Sequence, residues 1–394
     1  MFMGDIFNPE EEHLMLRESV RRFAETEVEP QALEFDRDER FNLPLFRRLG
    51  ELGLLGITAP ERFGGAGMDA VSAVIAHEEL AAADPGFCLA YLAHSMLFVN
   101  NLALNGDDAQ RTRYLPRSCS GELIGGMGMS EPGAGTDVLG MRTSATPVEG
   151  GFLLSGSKMW ITNGAIDDET LGDIFLIYAR EEGASRSALS LFLVEKGDEG
   201  FSLGQRIKDK LGMRASGTAE LVFDRCFVPS ERRVGAAGEA TLHMMRNLEL
   251  ERLALAAMSL GIARRSIEIM NGYASERSAF GRPLRGFGQL QVLIADSYAE
   301  YMAGRSYVYQ LAGRLSLDSH GNRLDSDGVK LYCARMAKQV ADRAIQALGG
   351  YGYVGEYHVE RLWRDAKLLE IGGGTNEAHQ KNMTRDLAQL RQLR

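Results

Sequence analysis

Residues 1–120 carry hydrophobic positions at helical spacing. Residues 10–29 form an amphipathic pattern with Leu14, Val20 and Phe23 among the apolar positions, and Pro30 predicts its end. A glycine-rich break lies at 61–68. Further helical patterns lie at 43–52, 69–83, 87–104 and 107–115. The chain is therefore predicted to begin with an α-helical domain.

The pattern changes at about residue 121, where short apolar runs alternate with Gly, Ser, Asn and Asp. The length of these runs predicts strands, and their number favours a barrel or sandwich. Helical spacing returns after about residue 238, and stretches such as 253–263 are apolar on nearly every side. Such helices are typical of a bundle core or an oligomer interface. The order predicts an α+β multidomain fold with domains at 1–120, 121–237 and 238–394.

Composition and charge narrow the class of protein. The 394 residues are 45% hydrophobic and 25% charged, as in ordinary globular proteins. A formal net charge of −10 argues against a nucleic-acid partner. We see no uninterrupted apolar run of the ~20 residues that span a bilayer. The acidic N-terminus lacks the features of a targeting peptide, so we expect a cytoplasmic protein of bacterial type with no membrane span.

Two familiar motifs are excluded. The 4 cysteines contain no C-x-x-C pair, so we expect no metal site. Residues 350–355 spell G-x-G-x-x-G, but a dinucleotide fingerprint needs a strand before it and a helix after it. A long helical pattern precedes this run, which excludes a Rossmann fold.

Several segments together resemble the acyl-CoA dehydrogenase family, in family order over residues 7–384. They read MSEPGAGTDV at 129–138, KMWITNG at 158–164, ERSAFG at 276–281, QALGGYGY at 346–353 and RDAKLLEIGGGTNEAHQKN at 364–382. The resemblance implies an N-terminal α-domain, a middle β-domain and a C-terminal four-helix bundle. It also implies FAD as cofactor.

The resemblance assigns roles to individual residues around the flavin. Trp160 would cover one face of the isoalloxazine ring, and Thr162 would hydrogen-bond near its N5 atom. Arg277 would neutralise the pyrophosphate, with Phe280 nearby, and Gln346 would come from a neighbouring subunit. The full set of implied FAD contacts is Met127, Met129, Ser130, Gly135, Thr136, Trp160, Thr162, Arg277, Phe280, Gln346, Gly349, Gly350, Thr375 and Glu377.

The catalytic base of this family is not at its usual place. In most members a glutamate directly precedes the Gly-Thr pair of the C-terminal signature, but here Gly373 precedes the pair. The segment NLELERLALA at 247–256 places Glu251 before Arg252, where the isovaleryl-CoA and long-chain branches carry their base. The resemblance thus implies Glu251 as the base. The backbone N–H of Gly373 would still donate to the thioester carbonyl.

Alternative bases and substrate contacts stay open at this point. Glu249 and Glu370 are the other nearby carboxylates. Glycine at position 373 is expected to leave room beside the β-carbon, and the loop at 165–173 looks longer than in typical members. The implied substrate contacts are Tyr91, Ser95, Ser130, Arg252, Gly372 and Gly373.

The implied reaction is α,β-desaturation of an acyl-CoA thioester, with a short branched acyl group favoured because 89–96 resembles the isovaleryl-CoA branch. The alternatives are a cyclic or aromatic acyl-CoA, an oxidase, and a non-catalytic flavin-binding relative. The implied electron acceptor is an electron-transfer flavoprotein. The apolar C-terminal helices and cross-subunit contacts predict a homo-oligomer, a tetramer built as a dimer of dimers.

Overall fold

The structure is a computed structural model that describes residues 5–185, 188–318 and 320–390. Its N-terminal part is helical, as the pattern predicts, and Asp69, Asp84 and Asp107 cap helix starts by accepting hydrogen bonds from backbone N–H groups. The helices are α1 (Glu11–Phe23), α2 (Glu29–Arg37), α3 (Leu43–Glu51), α4 (Ala70–Ala83), α5 (Pro85–Leu92), α6 (Asn101–Asn105) and α7 (Asp108–Cys119).

The expected helix end at Pro30 is wrong. Helix α1 continues through a π-helical turn, Ala24–Val28, into α2, and Pro30 lies in the first turn of α2. Proline has no N–H to donate, and the first turn of a helix does not require one. The wider π turn thus lets the chain keep its helical course through the proline.

A second helical run crosses the middle of the molecule. Helix α5, the π-helical segment Ala93–Asn100 and α6 follow one another without a break. By length and composition alone, the run Pro85–Asn105 could cross a membrane, although it contains polar residues such as His94 and Asn100. However, 83% of its most apolar window is buried inside the protein, as in a core helix.

The middle of the chain forms an eight-stranded sheet in the order β6-β7-β3-β2-β4-β5-β8, with β1 parallel to β4. Both faces of β4 are buried: Ile174 and Leu176 join a cluster with α6 and α7, whereas Phe175 and Ile177 face a separate core. The strands are β1 (Gly125–Gly128), β2 (Ser144–Val148), β3 (Gly151–Thr162), β4 (Ile174–Glu181), β5 (Ser190–Glu195), β6 (Phe201–Arg206), β7 (Thr218–Pro229) and β8 (Arg233–Val234).

The C-terminal part is again helical and is organised around α8. Residues 249–263 of this 37-residue helix are buried without interruption, between α4, α10 and α12. A short hairpin, β9 (Ser278–Ala279) and β10 (Arg282–Pro283), follows it. The helices are α8 (Ala240–Glu276), α9 (Gly288–Ala312), α10 (Arg323–Leu348), α11 (Gly350–Tyr353), α12 (Val359–Leu369) and α13 (Asn376–Leu387).

Candidate active site

A cavity of about 560 Å³ lies where the helical run 85–105, the ends of β1 and β3, helix α8 and the start of α13 meet. Its lining includes predicted site residues from segments that are far apart in the chain. The predicted site residues that line it are Met127, Met129, Ser130, Gly135, Thr136, Trp160, Thr162, Glu251, Arg252, Gly373 and Thr375. The fold thus joins the expected flavin and substrate segments around one space.

The loop after β1 is fixed by a buried ion pair that the sequence analysis missed. Lys158 Nζ lies 2.9 Å from Glu131 Oε1, and Lys158 has no exposed surface. Glu131 also accepts hydrogen bonds from the backbone N–H groups of Arg142 and Thr143. The positive charge of Lys158 helps to hold the pKa of Glu131 below its usual range, against the effect of burial. A lysine within an otherwise apolar strand was the available signal.

Trp160 stands out at the edge of the cavity. The pairing of β3 with β7 shifts between Lys158 and Ile161, and Trp160 adopts a positive φ of 61°. Its ring is 56% exposed, which is unusual for a large aromatic side chain. Since Trp160 also lines the cavity, its ring is available to cover a planar ligand.

A further group of predicted cofactor residues lies on the surface, away from the cavity lining. Arg277 ends α8, and its guanidinium lies 6.0 Å from the centre of the Tyr351 ring. Phe280 is 95% exposed. The other exposed members are Gln346, Gly349, Gly350 and Glu377. A single chain therefore does not bring these residues to the cavity.

Glu251 lies in the first third of α8, and its buried side chain lines the cavity. Burial raises the pKa of this carboxyl to about 7, against the positive charges of Arg252 and Lys330, which lower it. Its Oε2 atom has no hydrogen-bond partner among the described residues. A carboxylate in this setting binds a proton more strongly than one in water, as a general base requires.

Gly373 lies beside Glu251 although the two are far apart in sequence. An ideal Cβ built on Gly373 would lie 3.4 Å from Glu251 Oε1 and 2.2 Å from Leu255 Cδ1. The expectation that glycine leaves open space here is therefore wrong, because Leu255 and Glu251 fill it. The carboxylate of Glu251 reaches the region into which a side chain at position 373 would project.

The alternative carboxylates have other partners. Glu249 accepts hydrogen bonds from the backbone N–H groups of Gly321 and Asn322, at 3.1 and 2.9 Å. Glu370 lies 2.7 Å from Lys367 Nζ, and neither carboxylate lines the cavity. Among the candidates, the structure therefore favours Glu251.

The substrate side of the cavity differs in part from the prediction. Leu89, Leu92, Ala93 and Leu97 line it, along the helical run 85–105. Tyr91 instead points away and donates a hydrogen bond to the Leu54 carbonyl at 3.1 Å.

Other predicted substrate residues, and the loop thought to control access, also lie outside the lining. Ser95 Oγ donates to the carbonyl of Tyr91 at 2.8 Å. Gly372 and all of 165–173 are likewise outside it. In the loop, Asp168 is bound by Lys208 Nζ at 2.7 Å and by Arg206. Tyr91 and Ser95 are thus not substrate contacts in this structure, and the loop folds onto the sheet.

Arg252, the residue that follows Glu251, belongs to a buried polar cluster that was not predicted from the sequence. Arg252 Nη1 lies 3.0 Å from Asp327 Oδ1, and His379 Nδ1 lies 2.7 Å from the same oxygen. Lys330 Nζ donates to the carbonyl of Gly374 at 2.6 Å. Asp327 and Lys330 lie on α10, one helical turn apart.

Comparison with known proteins identifies relatives along nearly the whole chain. Residues 10–122, 126–226 and 241–388 match the N-terminal, middle and C-terminal domains of acyl-CoA dehydrogenase. The mitochondrial isovaleryl-CoA dehydrogenase of Arabidopsis thaliana is 44% identical over 377 residues, which covers 95% of this chain and 90% of the relative.

Solved structures show the same fold. A chain in the structure of the electron transferring flavoprotein of Acidaminococcus fermentans superposes with a TM-score of 0.92, at 33% identity and with 100% of each chain covered. A glutaryl-CoA dehydrogenase from Mycobacterium smegmatis in complex with FADH2 gives a TM-score of 0.90, at 28% identity, and covers 98% of this chain and 96% of that one.

The three-part fold and its cavity define a flavin-dependent dehydrogenase that acts on CH–CH bonds. Within that class, this chain belongs to the acyl-CoA dehydrogenase family, whose cofactor is FAD. The residues present fit this cofactor. A Cβ at Gly133 or Gly135 would meet no atom within 4 Å, so a ligand can approach the backbone of the loop. The exposed face of Trp160 adds an aromatic surface beside it.

Proposed function

We propose that the protein desaturates a short branched-chain acyl-CoA, of the isovaleryl-CoA type, between its α- and β-carbons. The observation that carries this proposal is the position of the buried Glu251 carboxylate, 3.4 Å from where a Cβ at Gly373 would lie. The identity to isovaleryl-CoA dehydrogenases supports the acyl class. FAD, when bound, would accept the β-hydrogen as hydride.

In this proposal Glu251 removes the α-proton. Burial beside Leu255 raises the pKa of Glu251 to about 7. Its basicity is then close to what general-base catalysis near neutral pH needs. Arg252 and Lys330 oppose this rise, so they favour the ionised, proton-accepting form.

Gly373 would stabilise the negative charge that develops on the thioester oxygen. Its backbone N–H needs no side chain for this, and Gly373 lines the cavity with Glu251. A donor placed where charge develops strengthens in the transition state and lowers the barrier. We assign Ser130 and Arg252, which also line the cavity, to substrate binding.

The acyl group would lie against the apolar wall formed by Leu89, Leu92, Ala93 and Leu97. Leu255, which fills the space beside Gly373, would face the β-carbon and limit its substituents. Such a wall favours a compact branched group. The side chains of this wall carry no polar group, so the wall would select the acyl group by its shape alone.

Beyond the single chain, we propose a homotetramer built as a dimer of dimers and electron transfer to an electron-transfer flavoprotein. The exposed Phe280, Gln346, Gly349 and Gly350 support an oligomer, because a neighbouring subunit must supply such contacts if they reach FAD. The domain boundaries at 120/121 and 237/238 stay predictions.

The test is an anaerobic titration of the purified flavoprotein with a panel of acyl-CoAs, followed in the visible spectrum. Bleaching of the oxidised flavin band by isovaleryl-CoA is the expected result. Bleaching by cyclic or aromatic acyl-CoAs alone would replace the proposed substrate. Oxygen consumption with substrate alone would indicate an oxidase, and failure of every acyl-CoA would refute the proposed reaction.

A further inference from the structure

Lys330 is a fully buried lysine that acts on the charge balance of Glu251 and contacts the glycine loop beside it. It lies on α10 with no exposed surface, and its Nζ donates to the Gly374 carbonyl at 2.6 Å. An uncompensated ammonium group in the protein interior is costly, so a buried lysine is retained where its charge has a partner. Burial lowers the pKa of Lys330 to about 7, and the negative charge of Glu251 is the largest influence that opposes this fall.

The loop at 373–374, which accepts the hydrogen bond from Lys330, has little conformational freedom. Gly373 and Gly374 both have positive φ, at 63° and 102°. A Cβ on Gly374 would lie 2.9 Å from His379 Cε1, so the loop is packed tightly against α13. The hydrogen bond from Lys330 holds the carbonyl of Gly374, the residue that follows Gly373 and its thioester-facing N–H.

We propose that Lys330 is a positioning residue for the reaction. Its ammonium group fixes the Gly374 carbonyl, and its charge keeps Glu251 ionised before the α-proton is removed. This inference rests on the proposed function, in which Glu251 is the base.

The effect of Lys330 on Glu251 is electrostatic, so every charge that faces these two residues contributes to it. The positive charge of Lys330 favours the carboxylate form of Glu251, and the negative charge of Glu251 favours the ammonium form of Lys330. The positive charge of Arg252 also favours the carboxylate form of Glu251. Arg252 is already paired with Asp327, and Asp327 in turn contacts His379. The other ionisable groups that face the pair are Tyr178 on β4, Arg252 on α8, Asp327 on α10, Glu370 after α12 and His379 on α13.

The substitution Lys330→Met tests this by removing the charge and the hydrogen bond while keeping an unbranched apolar chain. The rate of flavin reduction by isovaleryl-CoA is measured anaerobically in single turnover across a range of pH. Below its own pKa of about 7 Lys330 is charged, and that charge lowers the pKa of Glu251. We therefore expect the acid limb of the pH profile to move up by about one unit in the variant. Near pH ~6 this shift corresponds to about a tenfold loss of rate.

Lys338→Met is the matched control. Lys338 lies on the same helix, is partly exposed and faces Glu370 at 3.7 Å. Its acid limb should coincide with that of the parent. If Lys330→Met does not fold with flavin, Lys330→Gln, which keeps a donor but no charge, is expected to show the same shift.

An unshifted acid limb in the folded, flavin-loaded Lys330 variants would overturn the inference, as would the absence of an acid limb in the parent. A merely structural role would lower the melting temperature or kcat and leave the limb in place. Glu251→Gln is measured in parallel. If that variant retains parent activity, the proposed base fails. An inactive Glu251→Gln beside an unshifted Lys330→Met would refute the role of Lys330 alone.

Discussion

Replacing Glu251 with glutamine should separate activity from stability. The substitution keeps the size and shape of the side chain and removes its charge and its ability to accept the α-proton. Glu249 and Glu370 do not line the cavity, so neither of these carboxylates is placed to replace the lost base. A positioned general base contributes on the order of 100- to 10,000-fold to a rate, so we expect flavin reduction to slow by about 1,000-fold.

The same substitution should stabilise the protein at alkaline pH. The pKa of Glu251 rises from 4.5 to about 7 on folding, because burial disfavours the charged form. The folded state therefore bears no penalty below pH 4.5, and the penalty grows with pH until it is complete above the folded pKa of about 7. That shift corresponds to roughly 3 kcal/mol, so Glu251→Gln should gain up to this amount at about pH 8.

The assay combines stopped-flow flavin reduction with denaturant unfolding at acidic and alkaline pH. Glu249→Gln is the matched control, since Glu249 lies on the same helix but binds the backbone of Gly321 and Asn322. That control should keep its reduction rate and lose some stability. Flavin reduction by Glu251→Gln within tenfold of the parent rate, with FAD bound, would refute the assignment of the base. Equal stability changes at both pH values would refute the pKa argument.

Three further outcomes follow from the same geometry. The parent rate of flavin reduction should fall below neutral pH with a midpoint near 7, since burial raises the pKa of Glu251 to about 7, and a flat single-turnover profile would contradict this. Gly373→Ala should destabilise the protein by about 1–3 kcal/mol, because φ at this position is positive and the new Cβ would meet Leu255. An unchanged melting temperature in calorimetry would contradict this prediction. Lys158→Met should weaken FAD retention on dialysis and cost about 3–5 kcal/mol of stability, because it leaves Glu131 buried without its cation. Unaltered flavin content would count against it.

The sequence predicted the order of the three parts and the family, because hydrophobic period and several motifs carry that information locally. It also directed attention to Glu251 from the absence of a carboxylate at Gly373. Prediction from the sequence failed where the lining of the cavity depends on the direction in which a side chain points. Residues 89–97 are buried almost throughout, so their pattern has no polar face to show that Leu89 and Leu92 rather than Tyr91 line the cavity.

Tertiary contacts explain the other failures. The space beside Gly373 is filled by Leu255, which comes from a different helix, and no local pattern reports such a contact. Lys330 and Asp327 resemble ordinary polar residues of an exposed helical face in sequence, yet both are fully buried. Their burial depends on α8 and α13, which pack against α10 from distant parts of the chain.

The proposed base on α8 differs in one physical respect from a base on a loop. A loop can adjust when the charge of its carboxylate changes, whereas the buried stretch of α8 is held by α4, α10 and α12. The protonation state of Glu251 must then be set by fixed neighbours, because the backbone cannot carry the group toward water. The positive charges of Arg252 and Lys330 act on it, although burial lowers the pKa of Lys330 itself to about 7. A base in the core, as proposed for Glu251, therefore requires buried positive charge, and the proposed role of Lys330 in the interior of α10 is to supply part of it.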